Sequence, residues 1–537
     1  ASDVYKRQAP FEVLAHRTSP TNIGLYLLSA ACARQFGWIG TQDLLMRLEA
    51  TSATLARMER HNGHFLNWYD TQSLQPLLPR YVSTVDSGNL GAHLLAVSRA
   101  CLELARAPLD PAASQQAIHA ARRRLKPCLA GAARLLQRPL QQTAIGQLLD
   151  SPLADPADIS AQMMLQGLLR DAFAELHALD LPEPGAVADT PPGPQDPLPW
   201  LLADLLATLQ SAALDVSAVG AGQQDAISLR LRTMAHTLEQ LAWDADFRFL
   251  LDPRRQLLHI GYRLEEQQLD ASFYDLLATE SRTTSLLAIA KGDLPARHWK
   301  ALGRPFFAHG RNAILRSWSG SMFEYLMPSL VAVEPAGSAL DEANRCALRE
   351  QMAFAKGLGI PWGMSESAYA ARDQSLAYQY ASQGVPCLAL RRTPMAEKVI
   401  APYATALACQ VAAVPACANF RALAALAARG RYGFYEALDF SAARQIHGGR
   451  FTLVSTYMAH HQGMTIVALA NVLLQGVAQR WGSDHPRIQA MSTLLQERTP
   501  RELAGLRPGA LAAPFLHAQS RRPANAIRTV VPGARAL

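Results

Sequence analysis

The chain has 537 residues and a formal net charge of +7, and hydrophobic residues make up 49% of it against 18% for charged residues. This balance excludes an intrinsically disordered chain, and the length suits one large globular fold or two to four average domains. The positive charge is spread out. Its densest cluster, around residues 122–126, is typical of a solvated helix face, so the composition does not indicate a nucleic-acid-binding surface.

The cysteines and the first residues restrict the class of protein further. The chain has seven cysteines and no CxxC pair, which argues against a disulfide framework or a zinc ribbon and favours a reducing compartment. The first residues lack the basic and apolar regions of a secretory signal. We expect residues 1–9 to be a non-native or disordered start.

Helical patterns dominate the chain from its first ordered part. Thr18 or Ser19 is predicted to cap a helix that has Pro20 in its first turn and continues to Phe36. Further helices are predicted over 41–58, 90–107, 115–136, 139–178, 201–251, 272–291, 341–357, 367–383, 400–414, 419–428, 452–479 and 486–497. The Pro-rich stretch 181–200 is predicted to be an extended connector.

The remaining patterns favour a helical fold with little sheet. Residues 248–264 are the best hairpin candidate, because two apolar runs flank the turn signal Asp252-Pro253. Two uncharged stretches, 399–420 and 455–479, reach membrane-spanning length, but the prolines, histidines and amides in them are typical of buried helices. Since Val/Ile-rich strands are missing, we predict an all-α fold: an (α/α)6 barrel, or double ring of helical hairpins, with one small β-hairpin.

Five segments combine a carboxylate with Trp or Tyr and with Gly, Asn or Ser. Aromatic faces can pack against pyranose rings, and carboxylates and amides can bind hydroxyl groups, so the recurrence indicates a cleft for an oligosaccharide. Taken singly, each carboxylate is better explained as a half-buried group that accepts backbone donors. The substrate-binding residues predicted from these segments are Asn67, Trp68, Asp70, Asp86, Asn89, Trp318, Ser321, Glu324, Tyr325, Trp362, Tyr369, Tyr432, Tyr435 and Glu436.

The segment 360–369 is the strongest candidate for the chemistry. Glu366 stands between two serines, and Trp362 and Tyr369 flank it. The glycines and the proline before Glu366 break any helix, so we predict that it lies at a loop-to-helix junction. The alternative is structural, with Ser365 capping the next helix and Glu366 in its first turn.

Adjacent histidines in the segment 458–464 raise the question of a metal site. Neighbouring residues on a helix point about 100° apart, so His460 and His461 cannot easily bind one ion. We predict that they and Gln462 hydrogen-bond a sugar or a core carbonyl, and that the protein uses no metal and no cofactor. The chain also lacks phosphate-binding glycine loops and a G-x-S-x-G nucleophile elbow.

Eight ordered motifs resemble the glucoamylase-like transglycosylation domain in the centre of cyclic β-1,2-glucan synthases. They are RTSPTNIGLYLLSA, NWYDTQSLQPLLPRYVSTVDSGNLGAHLL, YDLLATESRTTSLLAIAKGD, SWSGSMFEYLMPSL, GIPWGMSESAY, APYATAL, RYGFYEALDFS and YMAHHQGMTIVALANVLL. The resemblance covers about residues 10–505. We expect this domain to consist of a helical part 10–180, the connector 181–200 and a catalytic core 201–505, with a loose tail 506–537 that leads to a missing domain.

The resemblance implies a retaining transglycosylase that cuts linear β-1,2-glucan and cyclises it through a glycosyl-enzyme intermediate. It assigns the nucleophile to Glu366 and the general acid/base to Glu280, which is predicted on the helix 272–291. It also implies the glucan chain as substrate, and glycosyltransferase and phosphorylase-like domains of a parent synthase as partners. The expected location is cytoplasmic, within an inner-membrane-bound synthase, with no membrane span and no nucleic acid bound by this chain itself.

Two alternatives to this function remain open. The first is an endo-β-1,2-glucanase, which hydrolyses the same polymer and releases free oligosaccharides. The second is a non-catalytic glucan-binding module of a larger synthase, in which replacing Glu366 would not change the function.

Overall fold

The computed structural model describes residues 5–7, 13–109, 111–128, 139–150, 158–178, 198–309, 312–374, 376–392, 394–445 and 448–500. The predicted tail 506–537 lies outside the described residues. So do most of the predicted connector 181–200 and most of the predicted start 1–9.

Helices form most of the described chain. Their bounds are Pro20–Gln35 (α1), Thr41–Leu55 (α2), Thr84–Leu104 (α3), Pro111–Leu125 (α4), Ala144–Asp150 (α5), Ile159–His177 (α6), Leu198–Gly220 (α7), Gln224–Asp244 (α8), Arg282–Lys291 (α9), Arg297–Ala301 (α10), Met322–Leu326 (α11), Ala339–Leu358 (α12), Pro402–Cys409 (α13), Ala413–Ala425 (α14), Ala459–Leu473 (α15), Val477–Ser483 (α16) and Pro486–Gln489 (α17). The predicted start of α1 is confirmed, because the Ser19 hydroxyl accepts from the Asn22 amide and Pro20 is the first helical residue.

The helices lie between short strands. These are Tyr5–Arg7 (β1), Val13–Leu14 (β2), Arg17–Thr18 (β3), Arg60–His61 (β4), His64–Phe65 (β5), Tyr69–Asp70 (β6), Tyr81–Ser83 (β7), Leu251–Asp252 (β8), Leu257–His259 (β9), Gly261–Arg263 (β10), Gln268–Leu269 (β11), Phe273–Tyr274 (β12), Phe306–His309 (β13), Asn312–Leu315 (β14), Ser367–Arg372 (β15), Tyr378–Ala381 (β16), Val399–Ile400 (β17), Arg429–Gly430 (β18), Gly433–Phe434 (β19), Ala437–Asp439 (β20), Thr452–Val454 (β21) and Thr456–Met458 (β22).

The predicted fold class is correct in its helical majority and wrong in its single hairpin, because the described strands form nine small sheets. The predicted hairpin itself is confirmed, with β8 and β9 paired antiparallel as Leu251↔Leu258. Most of the other strands have only two or three residues. Such short strands carry no alternating pattern that a sequence could reveal.

The largest correction concerns residues 367–383, which we predicted as a helix. They form the antiparallel hairpin β15–β16, in which Ala368 pairs with Tyr380. The Ala-rich composition favours a helix locally, but tertiary contacts override it. The backbone amides of Ala368 and Ala370 donate to the buried carboxylates of Glu436 and Asp439 beside β20.

Other predicted helices are interrupted. The predicted helix 201–251 divides into α7 and α8 at Gly222, which adopts a φ of +65° that glycine tolerates best. The predicted helix 452–479 starts instead with β21 and β22, and α15 begins only at Ala459. The apolar pattern continues through these breaks, so periodicity alone does not locate them.

Helix α3 is the centre of the main core, where it packs against α1, α8, α9 and α16. Gly88 allows the close approach of α3 and α9, since a Cβ atom there would lie 2.0 Å from Thr284 Oγ1. A separate apolar cluster joins α4, α5, α6 and α7. A third cluster lies under the hairpin β15–β16 and contains Ala368, Val399 and Ala437.

The two uncharged stretches lie within the fold. All residues of α13, in the first stretch, are buried, and α15 in the second stretch packs against α1 and α13. Among the described residues, one other helical stretch, Trp200–Ala218, is long and apolar enough to cross a membrane by length and composition. In its most apolar window 44% of the residues are buried inside the fold, and core helices pass the same test of length and composition.

Candidate active site

Glu280 lies in a turn that ends just before α9, and not within a helix as predicted, because β12 and the turn occupy residues 273–281. Its carboxylate is half-buried, and the Thr279 hydroxyl donates to Glu280 Oε2 over 3.2 Å. Burial raises the pKa of Glu280 to about 8, and the negative charges of Glu324 and Glu366 add to this increase. Glu280 therefore keeps its proton at neutral pH.

A buried arginine holds this turn in place. The Arg282 guanidinium is 1% exposed and donates to the carbonyl oxygens of Thr279, Glu324 and Tyr325 over 2.6–2.9 Å. It also pairs with Glu334 Oε1 at 2.6 Å. Arg282 thus ties the Glu280 turn to α11.

Glu366 lies at a bend directly before β15, so the predicted loop-to-helix junction is wrong. Its Oε2 accepts a hydrogen bond from Ser382 Oγ at 2.8 Å, and the Tyr380 hydroxyl also hydrogen-bonds the carboxylate. Burial raises the pKa of Glu366 and the charges of Glu324 and Asp86 add to it, whereas the two hydroxyl donors lower it. Glu366 has two hydroxyl donors where Glu280 has one.

Ser365 is not a helix cap, because no helix follows it. Its hydroxyl accepts from the Phe323 amide at 3.0 Å and hydrogen-bonds the Tyr403 hydroxyl at 2.8 Å. The alternative prediction, in which Ser365 caps a helix and Glu366 lies in its first turn, is therefore wrong. Ser365 instead fixes the segment against α11 and α13.

The carboxylates of Glu280 and Glu366 lie close enough for their charges to act on one another, and Asp86 and Glu324 lie within reach of Glu366. Asp86 is in the first turn of α3, not in a loop as predicted, and accepts from Ser83 Oγ at 2.6 Å and Asn67 Nδ2 at 3.3 Å. The fold thus brings acidic groups from four distant segments close enough for their charges to interact.

Glu324 is one of these acidic groups, and its charge acts on both Glu280 and Glu366. It is 7% exposed and forms a capping box with Ser321, the N-cap of α11. Its carboxylate also accepts from Ser317 Oγ at 2.9 Å and Ser319 Oγ at 2.6 Å. Its oxygens, predicted to bind substrate, are thus occupied inside the protein.

Tyr325, also predicted to bind substrate, belongs to the core. It is 1% exposed, and its hydroxyl donates to the Leu315 carbonyl at 2.8 Å. Asn89 is likewise buried within α3, where its Nδ2 donates to Thr21 Oγ1 at 3.3 Å. Neither side chain offers a free surface to a ligand.

Asp70 stabilises a turn. Its Oδ1 accepts from the amides of Gln72 and Ser73 and from the Ser73 hydroxyl. These bonds lower the pKa of Asp70, with the Ser73 amide as the largest cause. The Asp70 carboxylate therefore accepts hydrogen bonds within its own turn.

The predicted aromatic platforms divide into accessible and occupied rings. Trp318 and Tyr432 are 60% and 42% exposed, and the guanidinium of Arg17 lies 5.8 Å from the half-buried ring of Trp68. These three rings present faces to solvent or to a ligand.

Three other predicted rings are packed within the protein. Trp362 is 8% exposed. The Tyr369 ring is covered by the Arg444 guanidinium at 4.9 Å, and Tyr435 packs against Tyr457 at 5.1 Å. Contacts within the protein thus cover aromatic ring faces that the sequence pattern could not distinguish from exposed ones.

The histidine pair has separate partners. His460 Nδ1 lies 3.1 Å from Asn22 Oδ1, and Gln462 Nε2 donates to the Phe434 carbonyl at 3.0 Å. His461 Nδ1 lies 2.9 Å from both oxygens of the buried Glu436. Within the described ranges, no group of three or more His, Cys, Asp or Glu side chains is placed to hold a metal ion.

Three residues that contact Glu366 were absent from the sequence prediction: Tyr380, Ser382 and Tyr403. Tyr380 lies in β16, and Ser382 comes two positions later, directly after the end of that strand. The signal was the spacing of the tyrosine and the serine after the polar residues Asp373, Gln374 and Ser375, and the helix prediction concealed it. Tyr403 lies at the start of α13, and nothing in the local sequence connects it to Glu366.

Replacing Glu280 by glutamine is expected to stabilise the protein more at pH 8 than at pH 5. Between these values the unfolded chain loses the Glu280 proton while the folded protein, with a pKa of about 8, keeps it, so native stability falls as the pH rises. Glu280→Gln removes this loss, which we expect to be about 1 kcal/mol or more for a half-buried group. Urea unfolding at both pH values measures it, with the exposed Glu266→Gln as control. An equal effect of Glu280→Gln at both pH values would contradict the expectation.

The chain is similar to known proteins in sequence and in fold. The family model described as "Putative glucoamylase" matches residues 272–485. The cyclic beta-(1,2)-glucan synthase NdvB of Rhizobium meliloti (strain 1021) is 42% identical over 514 residues, which cover 93% of this chain but only 18% of that protein.

Two solved structures share the fold at low identity. The endo-β-1,2-glucanase from Chitinophaga pinensis, in complex with sophorotriose and glucose, has a TM-score of 0.53 at 12% identity, covering 90% of this chain and 89% of that one. The endo-β-1,2-glucanase from Talaromyces funiculosus, in complex with sophorose, has a TM-score of 0.54 at 10% identity, covering 92% of this chain and 81% of that one. The resemblance predicted from the motifs is thus confirmed: residues 272–485 match a glucoamylase family model, and nearly the whole chain is similar to a segment of a cyclic β-1,2-glucan synthase.

Proposed function

We propose that this chain is a retaining transglycosylase that acts on linear β-1,2-glucan within an (α/α)6 glycosidase fold. The observation that carries the proposal is the unequal surroundings of two neighbouring glutamates. Glu280 is protonated at neutral pH, whereas Glu366 accepts two hydroxyl hydrogen bonds. A retaining glycosidase needs such a pair, with one carboxylic acid and one carboxylate.

Glu280 is the general acid/base in this proposal. Its proton protonates the oxygen of the leaving sugar, and the resulting carboxylate then accepts a proton from the incoming group. Thr279 provides a single weak hydrogen bond, and the acidic neighbours disfavour ionisation. The same residue can therefore hold a proton before the first step and release it during that step.

Glu366 is the nucleophile. Ser382 and Tyr380 donate to its carboxylate and so favour the ionised form against the cost of burial. The ionised oxygen attacks the anomeric carbon and forms the glycosyl-enzyme intermediate. The similarity to NdvB, whose name includes cyclic glucan synthesis, supports transfer to a sugar hydroxyl instead of water.

Transfer to a sugar requires that the acceptor be held in position. The exposed rings of Trp318 and Tyr432 and the half-buried Trp68 are the accessible platforms for a second part of the glucan chain. Binding energy at such platforms would place the acceptor hydroxyl ahead of water.

Hydrolysis is the second candidate, since the solved structures of similar fold include endo-β-1,2-glucanases. The same two glutamates would serve a hydrolase, with a separation of about 5–5.5 Å for retention or about 6.5–9.5 Å for inversion. The choice between the two candidates therefore depends on the products.

Incubation with linear β-1,2-glucan is expected to yield products without a reducing end. Cyclisation forms one glycosidic bond for each bond it breaks, so ring masses lack one water and the number of reducing ends does not increase. Mass spectrometry and a reducing-sugar assay measure both quantities, with Glu366→Gln as the inactive control. A steady increase in reducing ends with only linear products would establish the glucanase instead.

The proposal extends to the setting of the domain. The chain spans 18% of NdvB, so a glucan-supplying glycosyltransferase domain, a phosphorylase-like domain and an inner-membrane-bound cytoplasmic parent are proposed from the resemblance. The separate apolar cluster of α4–α7 supports a distinct helical part, which includes α7 at the predicted start of the catalytic core.

A further inference from the structure

Three aromatic rings form a column beside Glu366. The His461 ring lies parallel to the Tyr403 ring, with 3.7 Å between centroids and 9° between planes. The Tyr380 ring is also nearly parallel to the His461 ring, at 6.2 Å and 22°. His461 and Tyr403 are 1% and 4% exposed, so this part of the column is buried.

Both tyrosines of the column reach Glu366. The Tyr403 hydroxyl donates to the backbone carbonyl of Glu366 at 2.9 Å, and it hydrogen-bonds the hydroxyl of Ser365 at 2.8 Å. The Tyr380 hydroxyl hydrogen-bonds the carboxylate of Glu366. One ring therefore restrains the main chain of Glu366, and another restrains its side chain.

The imidazole is fixed by a buried carboxylate. His461 Nδ1 lies 2.9 Å from both oxygens of Glu436, so the proton on Nδ1 donates to Glu436. Glu436 Oε1 also accepts from the Ala368 amide at 3.1 Å, two residues beyond Glu366. The network thus holds the chain on both sides of Glu366.

A buried carboxylate–imidazole pair is a poor means of stabilising a fold, since desolvation costs about as much as the pairing returns. Burial lowers the pKa of His461 to about 3 and raises that of Glu436 to about 7. The imidazole is therefore neutral, and its Nε2 has no hydrogen-bond partner among the described residues. What the pair provides is a fixed orientation of the ring relative to Tyr403 and Tyr380.

We propose that His461 is a positioning residue for Glu366, acting through Tyr403 and Tyr380, with Glu436 fixing its orientation. This inference rests on the proposed role of Glu366 as nucleophile. The column holds the Glu366 carboxylate against Ser382 and Tyr380 and aims it at the anomeric carbon. A displacement of about 1 Å at such a group costs up to about a hundredfold in rate.

Tyr403→Phe tests the proposal because it keeps the ring in the column and removes only the hydroxyl. We expect kcat to fall by about tenfold to a hundredfold with little change in KM. The acid limb of kcat/KM is expected to move to higher pH, because a displaced carboxylate loses its hydroxyl donors. Glu280, Glu324 and Asp86, whose charges also act on Glu366, remain in the variant, so they do not cause this shift.

Tyr69→Phe is the matched control. Tyr69 is fully buried, its hydroxyl accepts from the Leu66 amide and donates to the Glu59 carbonyl, and it makes no contact with Glu366. Its loss is expected to lower stability without moving the pH profile. If Tyr403→Phe behaves like Tyr69→Phe, with lower stability but an unchanged profile and kcat, the positioning role is refuted.

His461→Gln provides a second, independent variant, since its amide can still donate to Glu436 but cannot stack. It is expected to shift the acid limb as Tyr403→Phe does, and the double variant is expected to add little further loss. Additive losses would refute a common path through Tyr403. Glu366→Gln is measured in the same series. If it remains active, the proposed nucleophile is wrong. If it is inactive but the acid limb of Tyr403→Phe and His461→Gln does not move, only the positioning role of the column is refuted.

Discussion

Glu366→Gln is expected to lower kcat on linear β-1,2-glucan by about 10⁴-fold or more, because loss of the proposed nucleophile removes the covalent route. The amide has nearly the shape of the carboxylate and can still hydrogen-bond Ser382 and Tyr380, so the fold is retained. Initial rates of glucan conversion and the circular dichroism spectrum measure the two effects. Asp70→Asn, at a carboxylate used in a surface turn, is the control for loss of an acidic group.

Azide distinguishes the roles of the two glutamates. In Glu366→Gly, azide takes the place of the nucleophile and gives an α-glycosyl azide from an aryl β-glycoside of the oligosaccharide. In Glu280→Ala, the glycosyl-enzyme still forms from the activated substrate, and azide attacks it from the other face to give the β-glycosyl azide. The reverse pattern would exchange the two assignments, and normal turnover of the natural glucan by either variant would remove that residue from the mechanism.

The pH profile checks the acid independently. The acid must carry its proton, so activity is retained below the Glu280 pKa of about 8 and lost as the pH rises through it. With an activated leaving group, Glu280→Ala is expected to lose this basic limb.

The second large effect is expected on stability. Arg282→Met is expected to lower the free energy of unfolding by about 3–5 kcal/mol, because it leaves the charge of Glu334 buried without its partner. The carbonyls of Thr279, Glu324 and Tyr325 lose their donors in the same change. The midpoint of urea unfolding measures the loss.

Arg47→Met is the matched control for Arg282→Met. Arg47 pairs with Asp43 one turn away on the surface of α2, and such a pair contributes about 0.5 kcal/mol. Arg282→Met combined with Glu334→Gln is expected to recover part of the loss, since an amide is cheaper to bury than an unpaired charge. A cost of Arg282→Met no greater than that of Arg47→Met would contradict the structural role of the buried pair.

Local chemistry predicted some elements well. Ser19 and Pro20 specify the start of α1 with their own side chains, and Asp252-Pro253 specifies a turn between two apolar runs. In both cases the deciding contacts lie within a few residues along the chain. The motifs that resemble the glucoamylase-like domain are also local, because each is a short stretch of sequence. Their order along the chain was sufficient to indicate the similarity.

Long-range contacts decided the rest. The hairpin β15–β16 forms where the sequence favours a helix, because Glu436 and Asp439, about 70 residues later, accept from its amides. Tyr325 was predicted to bind substrate because the composition of its segment is typical of a sugar-binding loop. The structure buries this side chain, so it is not accessible to a ligand. No local pattern distinguishes an aromatic ring that meets solvent from one that meets another helix.

The sequence by itself indicated that the protein is mainly helical and which family it resembles. Its local composition pointed to Glu366, and only the resemblance pointed to Glu280. Only the tertiary structure decided that the charges of Glu280 and Glu366 act on one another and that the surroundings of the two carboxyl groups differ. The reason is physical: helix and turn signals act between neighbours in the chain, whereas a pKa depends on burial and on charges that the fold brings from distant segments.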